Sequence, residues 1–188
     1  MANPPEPPES ALLWRFSLAF YALPGVAEAM IALQDKKQLD VNLILFALWL
    51  GISGSGRLER DALAQADRVV CAIRHRLVEP LRALRRALKR DADEGVRQLR
   101  DGVKALELAG ERLAQTRLER LARSPSHGLP ASSRLADAAA NLALYLGPET
   151  ILGAEAVVIR QALETFVRAA DDGDRPAGTT IFPARRPL

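Results

Sequence analysis

The chain has 188 residues, 48% of them hydrophobic and 26% charged, which suits one globular domain with a real core and excludes a bulk-disordered or low-complexity chain. A single cysteine, Cys71, excludes an intramolecular disulfide and a cysteine-built zinc site, and two histidines leave few metal ligands. The formal charge of +3 is uneven: residues 57–123 hold 17 basic and 11 acidic groups, against 3 and 5 before them and 6 and 7 after.

Residues 1–9 form a Pro/Glu tail that cannot bury apolar area and is expected to be disordered. This start has no Lys or Arg before Arg15, the opposite of a basic signal-peptide region, so a cytoplasmic location is expected. Ser10 can cap a helix over Ala11–Ala22, with Trp14, Leu18 and Tyr21 at helical spacing. Leu23-Pro24-Gly25 stops it, and a second helix runs to about Gln34 with Val26, Met30 and Leu33 on one side. After the connector Lys36-Lys37-Gln38, Asp40 reads as the N-cap of a helix to about Leu50 that is apolar nearly all round and therefore central and buried. The apolar run Leu43–Leu50 falls far short of the ~20 residues a membrane helix needs.

Gly51-Ile-Ser-Gly54-Ser-Gly56 reads as a loose connection between helices. In the long helical stretch beyond it, Val70, Ile73, Leu77, Leu81, Leu84 and Leu88 form one apolar stripe. Pro80 lies inside this stripe and predicts a kink or restart near residues 76–80. Asp91 or Asp93 can cap a further helix to about Ala122, with Val96, Leu99, Val103, Leu106 and Leu113 in heptad-like order and Gly95, Gly102 and Gly110 weakening it unless a close contact uses them. A linker over Ser124–Ser133 precedes a helix over Arg134–Leu146, a stop and restart at Gly147-Pro148, and a last helix to Ala170 with Ile151, Val158, Ala162 and Phe166 inward. Residues 171–188 are polar and Pro-rich and are expected to be a second disordered tail. The fold class is all-α: a single compact bundle of about seven helices over residues 10–170.

The run Leu13-Trp14, Phe16, Tyr21, Pro24-Gly25-Val26, Leu33-Gln34-Asp35, Asp40-Val41-Asn42-Leu43 and Leu48-Trp49-Leu50, with Glu79-Pro80-Leu81-Arg82 further on, resembles a proteobacterial family of conserved hypothetical proteins described as a domain of unknown function. The resemblance covers about residues 11–90 and implies a small helical cytoplasmic protein. It supplies no activity, and Gln38 stands where it expects glycine.

Two constellations carry the functional readings. The basic run Arg68–Arg90 holds eight Arg or Lys against Glu79 alone, and Arg82, Arg85, Arg86, Lys89 and Arg90 are the candidate anion- or partner-binding residues. No aromatic lies between residues 50 and 144, so a base-stacking nucleic-acid platform is disfavoured and an acidic protein partner asks least of the sequence. The second constellation is the polar cluster Glu28, Asp35, Asp40 and Asn42, expected to serve tertiary pairing and capping, or else a carboxylate-lined pocket beside Trp14 and Trp49. Cys71 and His75 share a helix face without enough further ligands, so neither a metal nor a cofactor is expected. The favoured reading is a non-enzymatic interaction protein with an acidic partner. The alternative is a small enzyme or ligand-binding domain using the polar cluster.

Overall fold

The computed structural model describes residues 11–124 and 129–171. The expected tails, the Ser10 cap and His127 lie outside them, apart from Asp171, which ends the last helix. The described residues form α1 (Leu12–Tyr21), α2 (Val26–Lys37), α3 (Val41–Ser53), α4 (Arg60–Ile73), a π-helical turn (Arg74–Val78), α5 (Glu79–Ala87), a 3-10 turn (Leu88–Arg90), α6 (Glu94–Glu119), α7 (Ala131–Thr150) and α8 (Ala154–Asp171). No strand occurs among them, and α4, the π turn and α5 run together as one rod, so eight helices make seven rods. No single described helix is long and apolar enough to cross a membrane; α1 and α2 together reach that length but are bent by 103°.

The core is centred on α3, where every residue from Asn42 to Ser53 is buried, as its all-round apolar sequence requires. Its main neighbour is α7. The two helices cross where Gly51 meets Ala138, and a Cβ built on Gly51 would lie 2.2 Å from the Ala138 backbone nitrogen. Asn141 then ties the turn after α3 to α7: its amide donates to the carbonyls of Ala47 and Gly56, and its oxygen accepts the Leu58 N–H at 2.7 Å. The glycine-rich segment is therefore a tight crossing and a pinned turn, not a loose connection. Gly54 closes α3 with φ 83°, a left-handed conformation that glycine adopts without steric cost.

Elsewhere the packing shifts the expected faces. On α1 the inward residues are Leu13, Phe16 and Phe20, the two phenylalanines meeting Phe166 of α8 edge-on, while Leu18 points to solvent. On α8 two adjacent stripes are apolar, and the fully buried one is Ala156, Ile159, Leu163 and Val167, with Val158, Ala162 and Phe166 beside it. Periodicity alone does not choose between neighbouring apolar stripes. The stop at Gly147 is present, with φ 76° and ψ 170°, but the restart lasts one turn before the chain breaks again at Ile151–Gly153.

The largest departure lies around Pro80. The proline lacks an N–H and its ring crowds the preceding turn, and the chain meets it by widening into the π turn. A π turn adds one residue to the helical phase and rotates the succeeding helix by about 100°. Val70, Ile73 and Val78 are buried, but Leu77 and Leu84 are exposed, and α5 buries no residue fully. The distal half of α6 is likewise unburied until Glu107. The α5–α6 hairpin is thus an arm extending from the bundle. At its base Gly110 admits Leu77 and Val78, each 3.1 Å from where a Cβ would sit, whereas Gly102 faces open space.

These environments predict opposite effects for two glycine-to-alanine changes. Gly51→Ala drives a methyl into the α7 backbone and should cost at least about 2 kcal/mol. Gly102→Ala, in an open helix interior, should stabilise by up to about 1 kcal/mol. Thermal unfolding of both variants checks this, and an unchanged midpoint for Gly51→Ala would contradict the close crossing.

Candidate functional site

A half-open cleft of about 280 Å³ lies between the α2–α3 connection and the rod made by α4, the π turn and α5. Its polar lining joins residues of both sequence constellations: Asp35, Asp40 and Asn42 from one, Arg82 and Arg86 from the other, with Arg74 and Glu79 added. Glu28 is exposed in the first turn of α2 and takes no part, and neither Trp14 nor Trp49 lines the cleft. This cleft is therefore not the one beside the tryptophans that the alternative reading placed there. Trp49 is buried with its ring 6.4 Å from that of Phe46, and Trp14 lies under the Arg112 guanidinium.

Asp40 is the centre of the cleft wall. Its Oδ1 accepts the Asn42 N–H at 2.8 Å, the cap its position predicts, and its Oδ2 accepts from Arg74 Nη1 at 3.0 Å. Its own N–H donates to the Tyr145 hydroxyl on α7 at 2.8 Å. Arg74 also donates to Asp67 on α4, and these two carboxylates hold its guanidinium charged despite its burial. The network continues inward: Asn42 Oδ1 accepts from Gln115 on α6, and Gln115 Oε1 accepts from Ser17 on α1. Burial pushes the Tyr145 phenol well above its usual range, so it stays protonated at neutral pH.

A second ion-pair group joins the two helices of the arm. Arg82 donates to Glu107 and Glu111, and Arg85 donates to both oxygens of Glu107. Burial pushes Glu107 up, but the bonds from Arg85 and Arg82 outweigh it and hold the carboxyl below its ordinary value. Glu111 moves the other way, because burial there prevails over Arg82. At the mouth, Arg86 donates to both Asp35 oxygens, at 2.9 and 3.1 Å, and holds that carboxyl low. This supplies the tertiary partner expected for an acid near a helix C-terminus. Gln38 keeps the left-handed shape a glycine would take, φ 56°, while its amide donates to the Asp35 carbonyl.

The candidate basic residues therefore divide. Arg82, Arg85 and Arg86 are engaged by carboxylates of the same chain, whereas Lys89 and Arg90 at the arm's tip are exposed and have no ion-pair partner among the described residues. In the cleft lining Arg74, Arg82 and Arg86 face Asp35, Asp40 and Glu79, with Asp67, Glu107 and Glu111 behind them. No positive surplus remains for an anion, which would have to displace a carboxylate already bonded to its arginine. His75 bonds Glu79 through Nδ1 at 2.7 Å, and no group of three or more metal-ligating side chains occurs among the described residues.

Outside the cleft, the arm carries a feature that the sequence pattern assigns to the core. Leu77 of the π turn, Leu84 of α5 and Leu99, Leu106 and Leu113 of α6 are 38, 47, 67, 59 and 43% exposed. The Arg82–Glu107 and Arg85–Glu107 bonds and the packing of Leu77 against Gly110 form the seam between the hairpin's helices. The seven-residue spacing puts Leu99, Leu106 and Leu113 on one face of α6. The signal is the heptad order itself, which reads as core because the length of the arm is not visible in periodicity.

A family model described as "Protein of unknown function (DUF2390)" matches residues 12–118, from α1 through nearly all of α6. That is more than half of the chain, and the chain belongs to this family. No curated protein and no solved structure matches it.

Two variants test the cleft's chemistry. Asp40→Ala removes both the cap and the Arg74 partner and should cost about 2 to 3 kcal/mol, whereas Asp40→Asn keeps the cap and should cost about 1 kcal/mol. For Glu107, the folded carboxyl titrates below the unfolded one, so its stabilisation is present above the unfolded value of about 4.3 and is lost as pH falls through the folded value. Glu107→Gln should thus lower stability at neutral pH, and the gap from wild type should close in acid. A gap that widens on acidification in pH-dependent unfolding would contradict the assignment.

Proposed function

We propose that this member of the DUF2390 family is a non-enzymatic interaction protein of the cytoplasm, and that its docking surface is the leucine face of the α5–α6 arm. The observation that carries the reading is that exposure: Leu99, Leu106 and Leu113 at heptad spacing on α6, with exposed Leu84 on α5, which Arg82 and Arg85 pair to α6 through Glu107. Scattered exposed leucines need no explanation, but an aligned set on one rigid hairpin offers apolar area that water would leave on docking. The polar cluster argues in the same direction, because Asp40, Asn42 and Arg74 hold helices together instead of presenting unused donors and acceptors.

The acidic partner expected from the basic run is kept in altered form. Lys89 and Arg90 at the tip, and Arg117 and Arg120 at the base, are exposed and have no ion-pair partner among the described residues. They favour a partner helix that is apolar along its middle and acidic toward its ends. Nucleic acid is the weaker candidate, since the face between these cations is aliphatic and offers no ring for a base.

The test is capture from the native cell with three baits: wild type, Leu84→Gln/Leu106→Gln, and Arg86→Ala at the cleft mouth. Loss of the same captured set only with the leucine variant supports the reading. Equal capture by all three baits, or loss confined to Arg86→Ala, would return the function to the cleft or to neither surface.

A further inference from the structure

We propose that the cleft between the α2–α3 connection and α5 is a binding site for a zwitterion: a free α-amino acid with a small aliphatic side chain, held along the α5 wall. The inference stands apart from the docking reading of the arm and uses none of its exposed leucines. The two walls of the cleft differ. On the inner wall Asp40 and Asn42 are spent on the joint with Arg74 and Gln115. On the α5 wall bonding capacity is left over. Arg82 uses Nε and Nη2 on Glu107 and Glu111, and Arg86 uses only Nη2, on Asp35. Nη1 of both, and Nε of Arg86, therefore have no hydrogen-bond partner among the described residues. Glu79 bonds His75 through Oε2 and keeps Oε1, and Gln34 of α2 uses its amide nitrogen on Asp35 and keeps its oxygen.

Charge selects the ligand. The lining holds Arg74, Arg82 and Arg86 against Asp35, Asp40 and Glu79, so neither an anion nor a cation finds a surplus. A molecule of zero net charge with two poles needs none, since it brings a donor for Glu79 and an acceptor for the guanidiniums together. The wall sets these partners in order: Glu79, Arg82 and Arg86 stand at i, i+3 and i+7 on one face of α5, the acid ahead of both bases. Glu79 and Arg82 are about 4.5 Å apart along the axis, a separation that the ammonium and carboxylate of one α-amino acid span with their hydrogen bonds. The two oxygens of a carboxylate match guanidinium forks, and an ammonium supplies N–H groups to the Glu79 and Gln34 oxygens, which only accept.

Size and floor limit the side chain. The cleft holds about 280 Å³ and is half open, which is room for a small molecule. Its floor is Val70, Val78 and Ala114, all buried, with Leu39 beside them and no aromatic ring in the lining among the described residues. An aliphatic side chain meets aliphatic surface there, and that contact supplies the driving force. The polar bonds are exchanged for bonds to water, so they add little strength and instead set orientation and class.

The test titrates the full chain, followed by amide chemical shifts, with three probes of one shape. These are L-valine, L-valinamide, which keeps only the ammonium, and 3-methylbutanoate, which keeps only the carboxylate. L-Valine should bind saturably, with a dissociation constant of about 1 mM or lower, and should shift the amides of Gln34, Asn42 and Ala83. Each single-charge probe should bind at least about tenfold more weakly, because one pole of the wall stays unpaired. Arg86→Gln should weaken L-valine binding by a similar factor with helicity unchanged and little loss of melting temperature, since its pair with Asp35 is exposed. Leu84→Gln/Leu106→Gln should bind L-valine as wild type does, so failure of the docking reading and failure of this site are separate results. No saturable shift at about ten times the expected dissociation constant overturns the proposal, as do shifts confined to residues outside the cleft. A single-charge probe that binds as tightly as L-valine, or wild-type affinity in Arg86→Gln, overturns it equally.

Discussion

The Asp40 carboxylate is the constraint on which the arrangement of helices depends. One oxygen closes the N-terminus of the most buried helix, the other holds the Arg74 guanidinium from the π turn, and the residue's amide is fixed by a tyrosine of α7. Through Asn42, Gln115 and Ser17 the same network reaches α6 and α1. Buried polar groups of this kind contribute little net stability over an apolar replacement but cost several kcal/mol when one member is removed. Their effect is on uniqueness: α3 is apolar on every side and could rotate or slide among its neighbours without large loss, and the network permits one orientation.

The π turn links that constraint to the arm. Pro80 forces the local widening, which begins at Arg74, the residue bonded to Asp40, and rotates α5, on which Arg82 and Arg85 meet Glu107 and Glu111. The same rotation turns Leu84 outward. One backbone irregularity thus directs the basic residues inward and part of the apolar stripe outward, the reverse of what an uninterrupted helix would do.

Much of the fold is legible in the sequence because its signals are local. The Asp40 cap, the Pro24 and Gly25 break, the Asp93 cap and the all-round apolarity of α3 each follow from residue type and spacing. The candidate site is legible only in part. Asp35, Asp40 and Asn42 stand out as a cluster, but Arg74, Tyr145 and Gln115 come from distant segments, and nothing in their neighbourhoods distinguishes them from surface or core positions. The basic run reads as a binding face because sequence shows charge without partners, and the partners Glu107 and Glu111 lie more than twenty residues away. A heptad pattern, likewise, reports that leucines share a face and leaves open whether anything covers it.

The central claim is that the cleft's polar groups are a structural joint and the arm is the accessible surface. Native-state hydrogen exchange measures it directly. The Asp40 and Asn42 amides should exchange only through global unfolding, at the rate of Leu45 and Leu48 in the middle of α3, while amides near the arm's tip from Leu88 to Gly95 exchange far faster. Exchange of Asp40 and Asn42 at the tip's rate would mean that the joint opens on its own, and would contradict the assignment of these residues to holding the bundle together.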